Sequence, residues 1–330
     1  MRESRLTFDD VTAIAVSAGP GLSPCLYEGL DFVRSIAIPR RLPLIAVNHL
    51  EAHLLISQWA NPDITFPFLG LLVSGGHTQL VLVHGVGRYE ILGSTVDDAV
   101  GEAFDKVARL LGIERLADEA FGAALERVAA VGDPHRFDFP VPMLQNAGCD
   151  FSFAGLKSAV RQVVRGLESQ QSPQLTPAKR DSVGSFSPTI CLGQQTQADV
   201  AASFQRVAFQ HLTRQLSRAT QWLKRSRRLR QTFHIVLAGG VACNKELQRV
   251  VAHVSRLHGC QSFAPAPHLC SDNGIMVAWT GLLKYQFGHV ESGAFGINTS
   301  WALGPRVVVP TSKRSQTALK AAASATELAQ

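Results

Sequence analysis

The stretch FPFLGLLVSGGHTQLVLVHGVGRYEILG, residues 66–93, constrains the fold more than any other part of the chain. Its apolar residues come in short, β-branched-rich blocks punctuated by glycines, a pattern that suits strands and defeats a long helix. Two strands are expected around Gly75-Gly76, with a third close behind. Further strands are expected at DDVTAIAVSAGPGLS (9–23), LPLIAVNH (42–49) and FHIVL (233–237), each followed by a helical pattern. The helices fall at about 25–38 (closed by Pro39), 97–111, 198–226, after the AGG turn at 238–240, and from SDNG at 271–274. On the helix at 97–111, Val100, Phe104, Val107 and Leu111 share one face. Strands that precede and separate helices indicate an α/β protein with mixed sheets. The Ser/Gln/Pro/Thr-rich segment 168–198 reads as a flexible insertion, and 311–330 as a disordered tail.

A chain of 330 residues can bury one large core or two lobes. With 32 basic against 26 acidic residues it carries a net charge of +6, much of it in KRSRRLR at 224–230. Such a run is either a solvated helix end or a set of phosphate contacts to a nucleic acid. The six cysteines include no C-x-x-C pair, which argues against a zinc knuckle, a redox dithiol or a secreted disulfide framework. No apolar run reaches membrane-spanning length, and no signal or transit peptide is visible.

Several motifs carry chemistry, each beside a plainer reading. In NHLEAH (48–53), His49 and His53 are four apart, so on a helix both imidazoles can reach one metal ion; a core or capping pair is the alternative. A zinc-protease helix needs glutamate directly after the first histidine, and here Glu51 comes two later and projects away. LVSGGHT (72–78) is a hairpin turn whose glycines supply positive φ, or a loop whose bare backbone approaches an anion. AGGVACN (238–244) is a tight turn or a helix N-terminus suited to anions, with Asn244 in reach of a sugar or base. Asp105, in GEAFDKVARLLG, is a solvated acid or a ligand group. Asp272, in CSDNG, is an N-cap or a metal ligand, and Ser152, in DFSFAGLKSAV, reads as the cap of the helix carrying Lys157.

Taken together and in order, AGPG, VNHLEAH, VSGGHTQLV, GEAFDKVARLLG, DFSFAGLKSAV, AGGVACN and CSDNG resemble the tRNA N6-adenosine threonylcarbamoyltransferase family, once labelled O-sialoglycoprotein endopeptidases. The likeness runs from about residue 9 to 305 and leans to the bacterial and mitochondrial branch. It implies an actin/Hsp70/sugar-kinase-like fold of two lobes: 1–66 with 285–310, and 67–284. It implies one divalent cation (zinc, iron or manganese) held by His49, His53 and Asp272. It also implies substrate contacts at Leu72, Val73, Ser74, Gly75, Gly76, Asp105, Gly122 and Asn244.

The implied reaction moves a threonylcarbamoyl group from its adenylate, made by a separate enzyme, to N6 of the adenosine 3′ of the anticodon in tRNAs reading codons that begin with A. The implied partners are tRNA and a possible second copy of the chain, without a membrane. The implied compartment is the mitochondrion, with the bacterial cytoplasm as alternative. No side chain is an evident general base.

Two departures stand out. The family's PYPGGP turn is replaced by IERLADEAFGAALERVA, so Gly122 keeps its place only if FGAALERVA aligns with GGPALERVA. The family's opening strand and ETSCDDT-like turn are missing before AVSAGPG, which implies a first lobe short of its first strands. Three other functions compete: a kinase or ATPase of the same superfamily, a metallopeptidase, and a non-catalytic form that binds tRNA or partner subunits.

Overall fold

The structure, a computed structural model, describes residues 7–146, 148–171, 192–230, 232–289 and 295–309. The segment 172–191 within the expected insertion, and the expected tail 311–330, lie outside the described residues. The ends of that insertion are helical, since residues 168–171 close one helix and 194–198 open another.

After a short 3-10 turn at Phe8–Asp10, the described chain forms a β-α-β unit. β1 (Ile14–Gly19) leads into α1 (Ser23–Arg40) and returns in β2 (Leu44–Asn48), which pairs parallel to β1 from Ile14↔Leu44 to Gly19↔Asn48. Pro39 does not close α1, as expected from its sequence, but sits inside its last turn. The stop is Arg41, at a left-handed φ of 55°, whose N–H returns to the carbonyls of Ala37 and Ile38. α2 (His49–Ala60) follows β2 directly, because Asn48 Oδ1 accepts the N–H groups of Leu50 (2.9 Å) and Glu51 (3.3 Å) and so nucleates the first turn.

The expected meander is present as β3 (Phe68–Val73), β4 (Thr78–Gly85) and β5 (Arg88–Ser94), antiparallel in sequence. Helices α3 (Val100–Leu110), α4 (Phe121–Ala129), α5 (Ala154–Gln171) and α6 (Gln194–Arg225) come next. β6 (His234–Ala238) then pairs parallel to β3, α7 (Lys245–Leu257) leads to β7 (Gln261–Phe263), and α8 (Pro267–Cys270) and α9 (Gly274–Gln286) are the last of the described helices. The described strands form a two-stranded sheet β1-β2 and a mixed five-stranded sheet in the order β5-β4-β3-β6-β7.

Period-two alternation gives the larger sheet two buried faces. Leu69, Leu71, Val73, Leu80, Leu82, Ile235 and Leu237 point to the side covered by α3–α6. Phe68, Leu72, Val81, Val83, Val236 and Ala238 point to the side packed by Leu50, Leu54 and Leu55 of α2. The stripe expected on α3 is buried throughout, and its Phe104 ring meets Phe204 and Phe209 of α6 at 5.0 and 5.4 Å. α9 packs on α2, β1 and β2, so closely that a Cβ on Gly281 would lie 2.4 Å from Ala15 Cβ.

Candidate functional site

The site lies at the carboxyl ends of the parallel strands, where chain turns converge and leave room for a ligand. β2 delivers His49 and His53 on the first turns of α2. β3 ends in Ser74–His77, and β6 ends in the glycine turn that leads to Asn244.

The two imidazoles and Asp272 meet as the spacing allows. His53 Nε2 is 3.1 Å and His49 Nε2 3.5 Å from Asp272 Oδ1, and the rings sit edge to face at 4.6 Å. The candidate ligand atoms all lie within 4.8 Å of one another, the one such cluster among the described residues. The cluster is rooted in the core at one end and open at the other: the His53 side chain is 3% exposed and that of Asp272 77%. Asp272 does not cap α9. Asn273 does, its Oδ1 accepting Met276 N–H at 2.8 Å, which leaves both oxygens of Asp272 for the histidines or a cation.

Burial, then the neighbouring His53 ring, holds His49 below its ordinary pKa against the pull of Asp272. The hydrogen bond from His53 keeps Asp272 below the usual carboxylate range. Two imidazoles and one carboxylate with their ligand atoms this close are a donor set that suits a divalent cation, so the residues fit a metal. His53 Nδ1, buried without a partner, lacks the acceptor that usually fixes the tautomer of a metal-bound histidine.

Glu51 takes no part. It is buried, and its Oε1 accepts Tyr89 O–H (2.7 Å) and Gly87 N–H (2.9 Å), so the peptidase reading has no base.

The expected substrate positions form a ring of contacts beside this cluster. Leu72 and Val73 are fully buried, so only their backbone faces outward, while Gly75 and Gly76 are exposed with open space where a Cβ would stand. The segment is the hairpin turn between β3 and β4, but neither glycine has positive φ, so conformational need does not explain them and the bare backbone is the feature that remains. The turn is closed by Ser74 N–H on His77 O (2.8 Å) and His77 N–H on Ser74 Oγ (3.0 Å).

Gly101 at the start of α3 donates to Ser74 O at 3.2 Å, and Gly239, at φ 89°, passes so close that a Cβ would lie 2.5 Å from Val73 O. Along α3, Asp105 accepts the N–H of Gly122 from α4. One turn on, Glu126 Oε1 accepts Lys245 N–H at 2.8 Å, which ties α4 to the Asn244 turn and closes the ring. Burial raises the pKa of Asp105, opposed by Arg109, and burial raises that of Glu126.

Asn244 is itself buried, with Oδ1 capping α7 at Leu247 N–H (3.0 Å) and Nδ2 on Gln205 Oε1 (3.0 Å), so its amide is committed to holding the turn. Ser152 does not cap α5. Its hydroxyl donates to Asp97 Oδ2 (2.5 Å), and Asp97 Oδ1 accepts Phe153 N–H, so an acid from another segment pins the start of that helix.

Two groups escaped the sequence reading. His77 stands close enough to His49 and His53 to interact with both, and burial, then His53, keep it below its ordinary pKa. Glu126 lies one helical turn from Gly122. The available signals were the histidine after the glycine pair and the i, i+4 spacing on α4.

The family model described as TsaD, tRNA N6-adenosine threonylcarbamoyltransferase, matches residues 1–279. A protein of Arabidopsis thaliana named as a probable mitochondrial tRNA N6-adenosine threonylcarbamoyltransferase is 38% identical over 312 residues, which cover 92% of this chain and 62% of that one. One from Paramagnetospirillum magneticum with the same activity in its name is 40% identical over 305 residues, covering 92% of this chain and 80% of its own length. The crystal structure of T. kodakarensis HypF superposes with a TM-score of 0.55 at 17% identity, over 84% of this chain and 40% of that one, a likeness of fold alone. The mixed α/β fold is of the actin/Hsp70/sugar-kinase type.

Proposed function

This chain belongs to the tRNA N6-adenosine threonylcarbamoyltransferase family, a family of acyltransferases, and on that premise we propose that its cleft carries out the family reaction with one divalent cation bound by His49, His53 and Asp272. The threonylcarbamoyl group passes from threonylcarbamoyl-adenylate to N6 of the adenosine 3′ of the anticodon, in tRNAs reading codons that begin with A. The observation that carries this reading is the convergence of two imidazoles and one carboxylate at the rim of the glycine-turn ring. A divalent cation bound there supplies Lewis acidity to the mixed anhydride and counter-charge to the AMP phosphate.

The protein's own groups bind and orient. The exposed Gly75-Gly76 backbone lets N–H groups approach the adenylate phosphate without a side chain in the way. Asp105, fixed by Gly122 N–H, is placed to accept ribose hydroxyls. Asn244 acts through the turn it holds against Gln205. With the adenylate so fixed, the adenosine amine attacks the carbamoyl carbon, the carbon–oxygen bond to AMP breaks, and the amine proton is lost to solvent.

The lobe division, 1–66 with 285–310 against 67–284, is part of the same proposal with one change: α9 (Gly274–Gln286), most of which that division gives to the second lobe, packs on β1 and β2 and is placed with the first. A mitochondrial compartment is supported by the Arabidopsis relative and a bacterial cytoplasm by the bacterial ones. Supply of the adenylate by a separate enzyme, and pairing with a second copy of the chain, are proposed from the family resemblance.

The test is single-turnover transfer of labelled threonylcarbamoyl from its adenylate to unmodified tRNA, with metal content measured on the same samples. Label on the tRNA, and metal lost in both His53→Ala and Asp272→Ala, is the expected result. Full metal retention in both variants would sink the site assignment; ATP hydrolysis without labelled tRNA would favour the kinase reading.

A further inference from the structure

The basic run KRSRRLR, residues 224–230, takes no part in the cleft. It ends α6 in a closed turn: Arg227 N–H returns to Lys224 O at 3.2 Å, Arg228 N–H returns to Leu223 O at 3.1 Å, and Leu229 is buried just beyond. The left-handed position of this turn, at a φ of 55°, is held by Arg227 where glycine is usual. Arginine there adds charge at a conformational cost that glycine would avoid. Two cations of the run are spent inside the fold, since Arg228 holds Glu90 at 2.8 Å and Lys224 Nζ donates to His258 O. Arg225, Arg227 and Arg230 are exposed and have no hydrogen-bond or ion-pair partner among the described residues.

Beside them lies a cavity of about 670 Å³ lined by Thr65, Phe66, Arg230, Thr232, His234 and Gln261. These residues precede or open β3, β6 and β7, so the cavity lies at the amino ends of the parallel strands, the pole of the sheet opposite the cleft. The acid next to the run, Glu90, is already neutralised by Arg228, so the three free guanidinium groups give this pole a net positive charge. From Gln205, which holds the Asn244 turn, to Arg225 is about 30 Å along α6.

We propose that this pole is a second contact for the tRNA, in which Arg225, Arg227 and Arg230 bind backbone phosphates of its stem while the anticodon loop enters the cleft. The inference rests on the tRNA reading above. Guanidinium forks match phosphate oxygens, and the hydroxyl, imidazole and amide groups of the cavity suit the sugar and phosphate edges of an RNA strand. A double-stranded RNA stem is recognised mostly through phosphates and 2′-hydroxyls, which is what this surface offers to contact. Phosphate contacts fix position and carry no sequence information, so the pole holds the tRNA and the cleft selects the adenosine.

The test measures binding of unmodified tRNA to the full 330-residue chain by filter retention, over about 50–200 mM salt. In the triple variant Arg225→Gln, Arg227→Gln, Arg230→Gln, affinity at the low end should fall about tenfold or more. The slope of log affinity against log salt should become shallower by about 2–3. The same losses should appear on a tRNA that lacks the target adenosine, because the contact reads no base. Arg227→Gly guards against a folding artefact: its urea midpoint should equal or exceed the parent's while its slope falls by about 1. Parental affinity and slope in the triple variant would overturn the proposal. So would binding of anionic phospholipid vesicles that the triple variant loses while it keeps tRNA. If the parent binds tRNA through these arginines but transfers no label, the reaction reading fails and this contact stands. If the parent transfers label and the triple variant binds tRNA as the parent does, the contact fails and the reaction reading stands.

Discussion

Replacing Glu51 by alanine separates a structural carboxylate from a catalytic one. Glu51 is 3% exposed and gives one oxygen to the buried Tyr89 hydroxyl at 2.7 Å and to the amide of the exposed Gly87 at 2.9 Å. Burial, and then the Glu51 charge, push the Tyr89 phenol far above its ordinary pKa, so it stays an O–H donor. Truncation strands the Tyr89 hydroxyl at about 1–3 kcal/mol, while the Gly87 amide can turn to water. The expected loss is therefore about 1–3 kcal/mol, eased if water enters the space. Glu51→Gln keeps an acceptor oxygen and should cost about 1 kcal/mol.

Urea unfolding should show a lower midpoint at unchanged slope for Glu51→Ala, a smaller fall for Glu51→Gln, and parental metal content in both. If Glu51→Ala left stability intact but emptied the metal site, Glu51 would be a ligand or a base. The peptidase reading would then return.

Other consequences are sharp enough to measure. A methyl group on Gly101 would lie 2.7 Å from Ser74 O, so Gly101→Ala must shift the substrate turn; we expect a loss of about 1–3 kcal/mol in urea and weaker AMP binding by calorimetry. Asn273→Ala removes the α9 cap at a cost of about 1 kcal/mol but leaves Asp272 in place, so metal content should hold while stability falls. His211 is fully buried, and burial followed by the Arg214 charge lowers its pKa from 6.5 to about 4. Because the folded value is depressed, this histidine weakens the fold as pH falls from about 6.5 towards 4 and has no effect above that window. From near pH 7 to near pH 5 the loss should be about 2 kcal/mol in urea unfolding, and His211→Gln should flatten that slope.

Most elements were legible because their causes are local. The alternation through FLGLLV and TQLVLV specifies strands with two buried faces, and the stripe Val100, Phe104, Val107, Leu111 specifies the buried side of α3. The helix spacing of His49 and His53 made a shared ligand geometrically possible. Allocation of polar atoms was much harder to read. In CSDNG both Asp272 and Asn273 are competent caps, and the backbone took the asparagine. In DFSFAGLK the cap was expected from Ser152, but Asp97 arrives from outside the helix and claims both the hydroxyl and the Phe153 amide. Asn244 was expected to face a ligand, yet Gln205 from α6 holds its amide.

By itself the sequence determined which segments are strands and helices, which faces of them are buried, and the family to which the ordered motifs point. Those properties depend on neighbours within a turn or a pleat, and hydrophobic period and glycine placement encode them directly. Tertiary structure alone decided that Asp272 is free for the imidazoles, that Glu51 is spent on Tyr89, and that His77 and Glu126 join the ring. A polar side chain bonds to whichever partner the fold brings within about 3 Å, and that partner usually comes from a distant part of the chain.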